Sequence, residues 1–235
     1  MSCFIGIDGC RGGWIAVSIA AGQRSFAIVP SLADISGLAE ARAMIDIPVG
    51  LPERGYRACD TQARQMLGVA APRVFLGARR KLLSFLPEDF LGASLAERGA
   101  ALAAANAAAK GAGEKGISVQ LWNILPKIRE VDRTITPEMQ DRLRESHPEL
   151  VFQRLAGGNV LPRKKSPEGR RLRRDIVAAA GFADIELWLS RLRKTGAAAD
   201  DLLDACALAL AAREPGGTLR CAATDARGLR MEIWY

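Results

Sequence analysis

Cys3-Phe4-Ile5-Gly6-Ile7-Asp8-Gly9-Cys10-Arg11-Gly12-Gly13-Trp14-Ile15-Ala16-Val17-Ser18-Ile19-Ala20 is the stretch whose reading decides the fold. Cys3 to Asp8 is a short apolar run ending in a carboxylate and bounded by Gly9 and Gly12-Gly13. It predicts a buried strand followed by a tight turn. Trp14 to Ala20 predicts a second strand, and Ala21-Gly22-Gln23 a hairpin connection into a third, Ser25 to Val29. Pro30 closes that strand. Ser31 then stands as the N-cap of a helix to about Ala41, with Gly37 as a weak point in its middle. Ala43 to Ile47 reads as a fourth strand, ended by Pro48 and Pro52.

Working outward, Arg54 to Gln140 is mostly helical text, with helical spacing over Ala58 to Leu67 and Pro87 to Lys110. Ser118 predicts the cap of a helix to Asp132 that Pro126 has to kink or divide. Gly111 to Gly116 is a loop. Leu143 to Ser146 is the expected fifth strand. Pro148 starts a helix that Gly157-Gly158 ends. Pro167 starts a basic helix stopping at Gly181, Asp184 to Lys194 is a further short helix, and the last runs from Asp200 to about Arg213. Thr218 to Ala223 and Leu229 to Tyr235 then form a terminal hairpin. Antiparallel strands, one helix and a return strand open an RNase H-like sheet. The expected architecture is α/β, a mixed five-stranded RNase H-like sheet flanked by helices, in one domain over 1–235 with a helical insertion at about 54–140.

Composition limits the classes of function. Hydrophobic residues make up 49% and charged residues 25% of the 235 residues, as in an ordinary globular protein. No apolar run reaches the roughly 18 residues of a membrane span; Gly99 to Ala109 is short and interrupted by Asn106. The opening residues lack the basic segment and extended apolar core of a signal peptide, so a cytoplasmic location is expected. The five cysteines, Cys3, Cys10, Cys59, Cys206 and Cys221, are odd in number and widely spaced, which suggests neither a disulfide framework nor a thiolate zinc site. The net charge of +7 leans toward a polyanionic partner such as nucleic acid. Arg163, Lys164, Lys165, Arg170, Arg171, Arg173 and Arg174 crowd one window, and Arg79, Arg80 and Lys81 another.

The informative anomaly is where the acids sit. Asp8 ends an apolar strand, Asp46 interrupts Met44-Ile45-Asp46-Ile47, and Asp204 lies in the apolar stretch Leu202 to Ala212. A buried carboxylate is costly unless paired, hydrogen-bonded or bound to metal. If the first and fourth strands are parallel neighbours, Asp8 and Asp46 emerge at one sheet edge, where open α/β sheets gather ligands. Asp201 and Asp204, three apart on the last helix, share a face. Two carboxylates about 4 Å apart repel by roughly 4 kcal/mol at an effective dielectric near 20, and a divalent cation turns that repulsion into a site. Hard oxygen ligands favour Mg2+ or Mn2+. Glu145, ending the fifth strand, is placed to join this set as a metal ligand and catalytic carboxylate. His147 and Glu149 offer acid–base groups, although both also suit a helix N-terminus. Asp8 also has a plain role, accepting hydrogen bonds from the glycine turn. Arg11, Arg79, Lys164 and Lys165 are the expected substrate-binding cations.

Several segments together resemble a known family: Gly6 to Trp14, Asp46 to Pro52, Arg57 to Arg64, Pro126 to Asp132, Glu145 to Glu149 and Asp200 to Ala205. The resemblance is to the family catalogued as domain of unknown function 429, described as predicted RNase H-like nucleases. It implies Asp8, Asp46, Glu145, Asp201 and Asp204 as acidic positions, with His147 and Glu149 alongside. Val74 to Arg79 departs from the proline-containing version of that family. The leading expectation is a divalent-metal-dependent nuclease or phosphodiesterase. The alternatives are an actin-like nucleotide- or phosphosugar-binding enzyme using the Gly12-Gly13 turn, and a non-catalytic nucleic-acid-binding module using the basic helix.

Overall fold

The computed structural model describes residues 2–235. In chain order the elements are β1 (Cys3–Cys10), β2 (Gly13–Ala20), β3 (Gln23–Val29), β4 (Arg42–Ile45), α1 (Ala58–Leu67), α2 (Leu95–Gly111), α3 (Val119–Thr134), β5 (Leu143–Glu145), α4 (Pro148–Leu155), α5 (Pro167–Ala179), α6 (Ile185–Ser190), α7 (Ala199–Arg213), β6 (Thr218–Thr224) and β7 (Arg230–Trp234). They fall into two compact units, one of 2–47, 138–219 and 233–235, the other of 48–137 and 220–232. The segment expected as a helical insertion at about 54–140 thus belongs to a unit that starts at Pro48 and also takes in most of the terminal hairpin.

The first unit is α/β. Its mixed sheet has the order β3-β2-β1-β4-β5. β1 pairs antiparallel with β2 and parallel with β4, and β4 pairs parallel with β5. Apolar residues alternate with the pleat, so Ile15, Val17, Ile19 and Met44 face one side and pack with Leu202 to Ala212 of α7 and with α4 to α6. α7 is buried along almost its whole length. It lies directly on β1, because Gly6 has no side chain: a Cβ there would stand 2.0 Å from the Ala205 carbonyl oxygen and 2.2 Å from the Ala209 nitrogen. Such an approach is open only to glycine.

Local signals and structure differ at instructive places. Ser31 does cap a turn, accepting from the Ala33 N–H at 3.3 Å while Asp34 answers the Ser31 N–H. The turn is only a 3-10 helix of Leu32–Asp34, and no α-helix follows to Ala41. Gly37 stands at φ +73°, a left-handed conformation that stops a helix. The helix expected from Pro87 begins at Leu95, where Ser94 and Glu97 form a reciprocal capping box. α3 runs through Pro126 undivided, since packing of Leu121, Trp122, Leu125 and Ile128 on one buried face outweighs one missing hydrogen bond. The short helix expected over Asp184 to Lys194 is confined to Ile185–Ser190.

The second unit is held by a polar centre of its own. Arg80 makes two bonds to Asp132, at 2.9 and 3.1 Å, and one to Asp225 at 2.5 Å. Asp225 also accepts the backbone N–H groups of Leu51, Arg227 and Leu229. Arg57 and Asp60 form a buried ion pair at the start of α1. Among the described residues no helix is long and apolar enough to cross a membrane.

Candidate functional site

The acids converge in the first unit through simple strand and helix register. Ile7 of β1 pairs with Ile45 of β4. The Asp46 N–H continues that ladder, donating to the Ile7 carbonyl at 3.0 Å. Asp8 and Asp46 are therefore next neighbours at the carboxyl ends of adjacent parallel strands, which run about 4.8 Å apart. Asp8 shares the face of Gly6, so α7 covers it. Two residues beyond the Gly6–Ala205 contact, Asp8 meets the preceding turn of α7, where Asp201 and Asp204 stand.

Electrostatics record the convergence. Burial, then the charges of Asp46 and Asp204, push the Asp8 carboxyl well above the usual range. Burial also raises Asp46, against the lowering influence of His147 and Lys164. Burial pushes Asp204 up to about 7, although Lys164 pulls the other way. Asp8 and Asp204 are 7% and 3% exposed, and Asp46 is half-buried. Like charges drawn out of water favour their protonated forms, which accounts for all three directions.

One cation enters this group. The Lys164 ammonium lies 2.7 Å from Asp204 Oδ2 and 3.6 Å from Asp200 Oδ2. Burial would make it a stronger acid, but Asp204, Asp8 and Asp46 hold it firmly protonated. The loop that presents it is anchored at several points. Ser166 caps α5, accepting from the Gly169 N–H at 3.0 Å and donating to the Arg163 carbonyl at 2.8 Å. A Cβ at Gly169 would meet that same carbonyl at 2.1 Å, so the chain passes there only because residue 169 is glycine.

The other sequence candidates fall in several places. Glu145 is not brought to the carboxylate face. It is in register with Ile45, and through it with Ile7, so the pleat turns its buried side chain to the face opposite Asp8. Glu149 takes the place nearer Asp46, whose carboxyl it raises. Glu149 is itself bound at 2.6 Å by Arg173, a fully buried member of the basic helix α5. His147 caps α4, its Nδ1 accepting the Glu149 N–H at 3.3 Å, and its ring lies close enough to influence Asp46. Asp201 accepts the Ala198 N–H at 2.8 Å and closes the start of α7.

The basic candidates divide in the same way. Arg11 and Lys165 are exposed. Arg79 belongs to the second unit, where it is buried, donates to the Lys115 carbonyl at 3.0 Å and pairs with Glu114 at 3.3 Å. Arg171 pairs with Asp175 and Arg174 with Glu186, so three arginines of the basic helix are committed within the unit. The Gly12-Gly13 turn is the tight end of the β1–β2 hairpin. Its Arg11 N–H is taken by the Gly196 carbonyl at 3.1 Å. Sequence reasoning missed the Arg173–Glu149 pair. Nothing in an arginine run marks the one arginine that points inward, except the apolar spacing it shares with Gly169 and Val177 on the buried face of α5.

Among the described residues no group of three or more histidine, cysteine, aspartate or glutamate side chains is arranged to enclose a metal ion. Neither a curated protein nor a solved structure matches the chain. A family model described as "Protein of unknown function (DUF429)" matches residues 6–227. With nearly the whole chain covered and the acid-bearing strand and helix both inside the match, the protein belongs to that family.

Proposed function

We propose that this protein hydrolyses phosphodiester bonds on an RNase H-like sheet, with Asp8, Asp46 and Asp204 as its acidic centre and nucleic acid as its substrate class. One observation carries the reading: Asp8 and Asp46 at the ends of neighbouring parallel strands meet Asp204 of α7, and each carboxyl is held above its usual value. Burial acts first and then neighbouring acids, Asp46 and Asp204 for Asp8, Glu149 for Asp46, and Asp46 and Glu149 for Asp204. Folding does not spend stability in this way without return, and such clusters mark functional sites. The strand order β3-β2-β1-β4-β5, with β2 and β3 antiparallel and β4 and β5 parallel to β1, supports the RNase H-like assignment. The fold alone would not assign a chemistry.

The donor set is hard oxygen, which suits Mg2+ or Mn2+ rather than zinc. A closed protein cage is not what these residues offer. They suit an open site, with Asp8 and Asp46 as the two carboxylates that would hold the ion and its other positions left to water and substrate oxygens, as Mg2+ commonly requires. When bound, such an ion polarises a phosphoryl oxygen and makes water nucleophilic near neutral pH. The chain's own groups do the rest. Arg11 and Lys165, exposed in the same unit, supply charge for backbone phosphates. Asp204, near 7, exchanges a proton close to neutral pH. Among the described residues Cys3, Cys10, Cys59, Cys206 and Cys221 form no disulfide, which suits a reducing cytoplasm.

The test is hydrolysis of bis(p-nitrophenyl) phosphate and of labelled single- and double-stranded DNA and RNA, with Mg2+ or Mn2+. Asp8→Asn and Asp46→Asn should each lower the rate at least about 100-fold, the usual scale for losing a preorganised charge at a reacting centre. An Asp8→Asn, Asp204→Asn double variant cleaving at the wild-type rate would reject the proposal.

A further inference from the structure

We infer that Cys59 and Cys221 of the second unit are a peroxide-responsive dithiol, which closes to an intramolecular disulfide between α1 and β6. The inference stands apart from the phosphodiesterase reading, because neither cysteine belongs to the carboxylate unit. The Cys221 thiol donates to Cys59 Sγ at 3.7 Å. A disulfide draws two sulfurs to about 2 Å, so closure asks for an approach of less than about 2 Å. The Cys59 N–H, in the first turn of α1, also donates to Cys221 Sγ at 3.4 Å and keeps that sulfur beside its partner. The two residues are 162 positions apart in the chain, so only folding brings them together.

The surroundings give the two thiols different parts. Cys221 is partly exposed on β6, where a small oxidant reaches it, and Cys59 is fully buried. The inner thiol is held in place. Arg57 and Asp60, on either side of it in sequence, form their buried ion pair, and Arg57 also donates to the Val49 carbonyl at 3.1 Å. One turn further along α1, Gln62 donates to the carbonyl of Arg220, next to Cys221, at 3.5 Å. In the first step Cys221 Sγ attacks one oxygen of hydrogen peroxide and the O–O bond breaks. The second oxygen leaves as water with the thiol proton, and Cys221 becomes a sulfenic acid. Cys59 Sγ then attacks that sulfur, the S–O bond breaks, and the hydroxyl leaves as water with the Cys59 proton. Two thiols and one peroxide give one disulfide and two waters, the two electrons passing from sulfur to oxygen. A small dithiol reverses the closure by exchange. Cys206 offers a contrast, since burial and the charge of Asp204 hold its thiol protonated and make it a poor nucleophile.

The test treats the full-length protein with a small excess of hydrogen peroxide, blocks the remaining thiols, and maps tryptic peptides without reduction by mass spectrometry. Peptides 58–64 and 221–227 should appear joined through sulfur, and dithiothreitol should release them. This link should be at least about tenfold more abundant than any other cysteine pair, because the fold sets its effective concentration. Unfolding in urea before oxidation should erase that preference. A folded Cys59→Ala variant should leave Cys221 as a sulfenic acid that dimedone traps, where wild type traps little. Native wild type that oxidises Cys221 with peptide 58–64 still free overturns the inference, as does one that leaves both thiols unreacted or links other pairs equally well. These outcomes decide the matter even if Cys59→Ala fails to fold. A linked protein that melts below the reduced one overturns it too, since the bond would then form only by distorting the unit.

Discussion

Gly6 of β1 and Ala205 of α7 touch through backbone alone: a methyl group on Gly6 would stand 2.0 Å from the Ala205 carbonyl oxygen. This contact sets how deeply α7 sits on the sheet. It therefore also sets the distance from Asp8, two residues along β1, to Asp204, one residue before Ala205. Packing and site are here the same feature.

Gly6→Ala should accordingly do more than a core methyl insertion usually does. Overpacking typically costs 1–3 kcal/mol, and a backbone neighbour on a helix buried along its length cannot yield easily, so about 3 kcal/mol or more is expected. Urea denaturation measures it. A variant as stable as wild type would show that α7 can lift from β1 at no cost.

Arg173→Met should destabilise the first unit by about 3–5 kcal/mol, because it leaves the Glu149 carboxylate buried without its cation. The double variant Arg173→Met, Glu149→Gln should recover part of that loss. Equal stability of single and double variants in chemical denaturation would mean that Glu149, once it has lost its 2.6 Å partner, carries no burial cost.

Asp204→Asn has a pH signature with a definite sign. The carboxyl is raised from 3.8 to about 7 in the folded protein, by burial above all. The folded state thus holds this proton more tightly than the unfolded chain does. The resulting stabilisation is fully present below the unfolded pKa and is lost as pH rises through about 7. Relative to wild type, Asp204→Asn should gain stability between pH 4.5 and 8, by on the order of a few kcal/mol at the upper end. A pH-independent difference between the two melting curves would contradict this.

Asp225 should show the opposite sign. Burial pushes its carboxyl up, but the N–H groups of Leu51, Leu229 and Arg227 and the Arg80 guanidinium outweigh burial and hold it below its usual value. Its contribution is present above the unfolded pKa and lost as pH falls through the lower folded one. Asp225→Asn should cost about 2 kcal/mol or more at pH 7, with a smaller penalty below pH 4, measured by thermal melts of both proteins across that range.

The elements of the sheet were legible because their signals are local. The apolar run of β1, the glycine turn, the hairpin into β3 and the proline ends of β4 are read from neighbouring residues and match the strands found. The helix expected after Ser31 failed because a good cap starts a helix but cannot carry it past a glycine held at φ +73°. The late start of α2 was written in the Ser94–Glu97 box and was read too far upstream.

Sequence alone determined which acids were anomalous, since an aspartate in an apolar run announces a cost that something must offset. It also determined the strand ends from which Asp8 and Asp46 emerge. Only the tertiary structure decided that the pleat turns Glu145 away, that Glu149 and Arg173 pair inside, and that Lys164, forty residues before Asp204, provides its counter-charge. The division has a physical cause. Burial cost and backbone periodicity are properties of a segment, whereas which charge meets which depends on how distant segments pack.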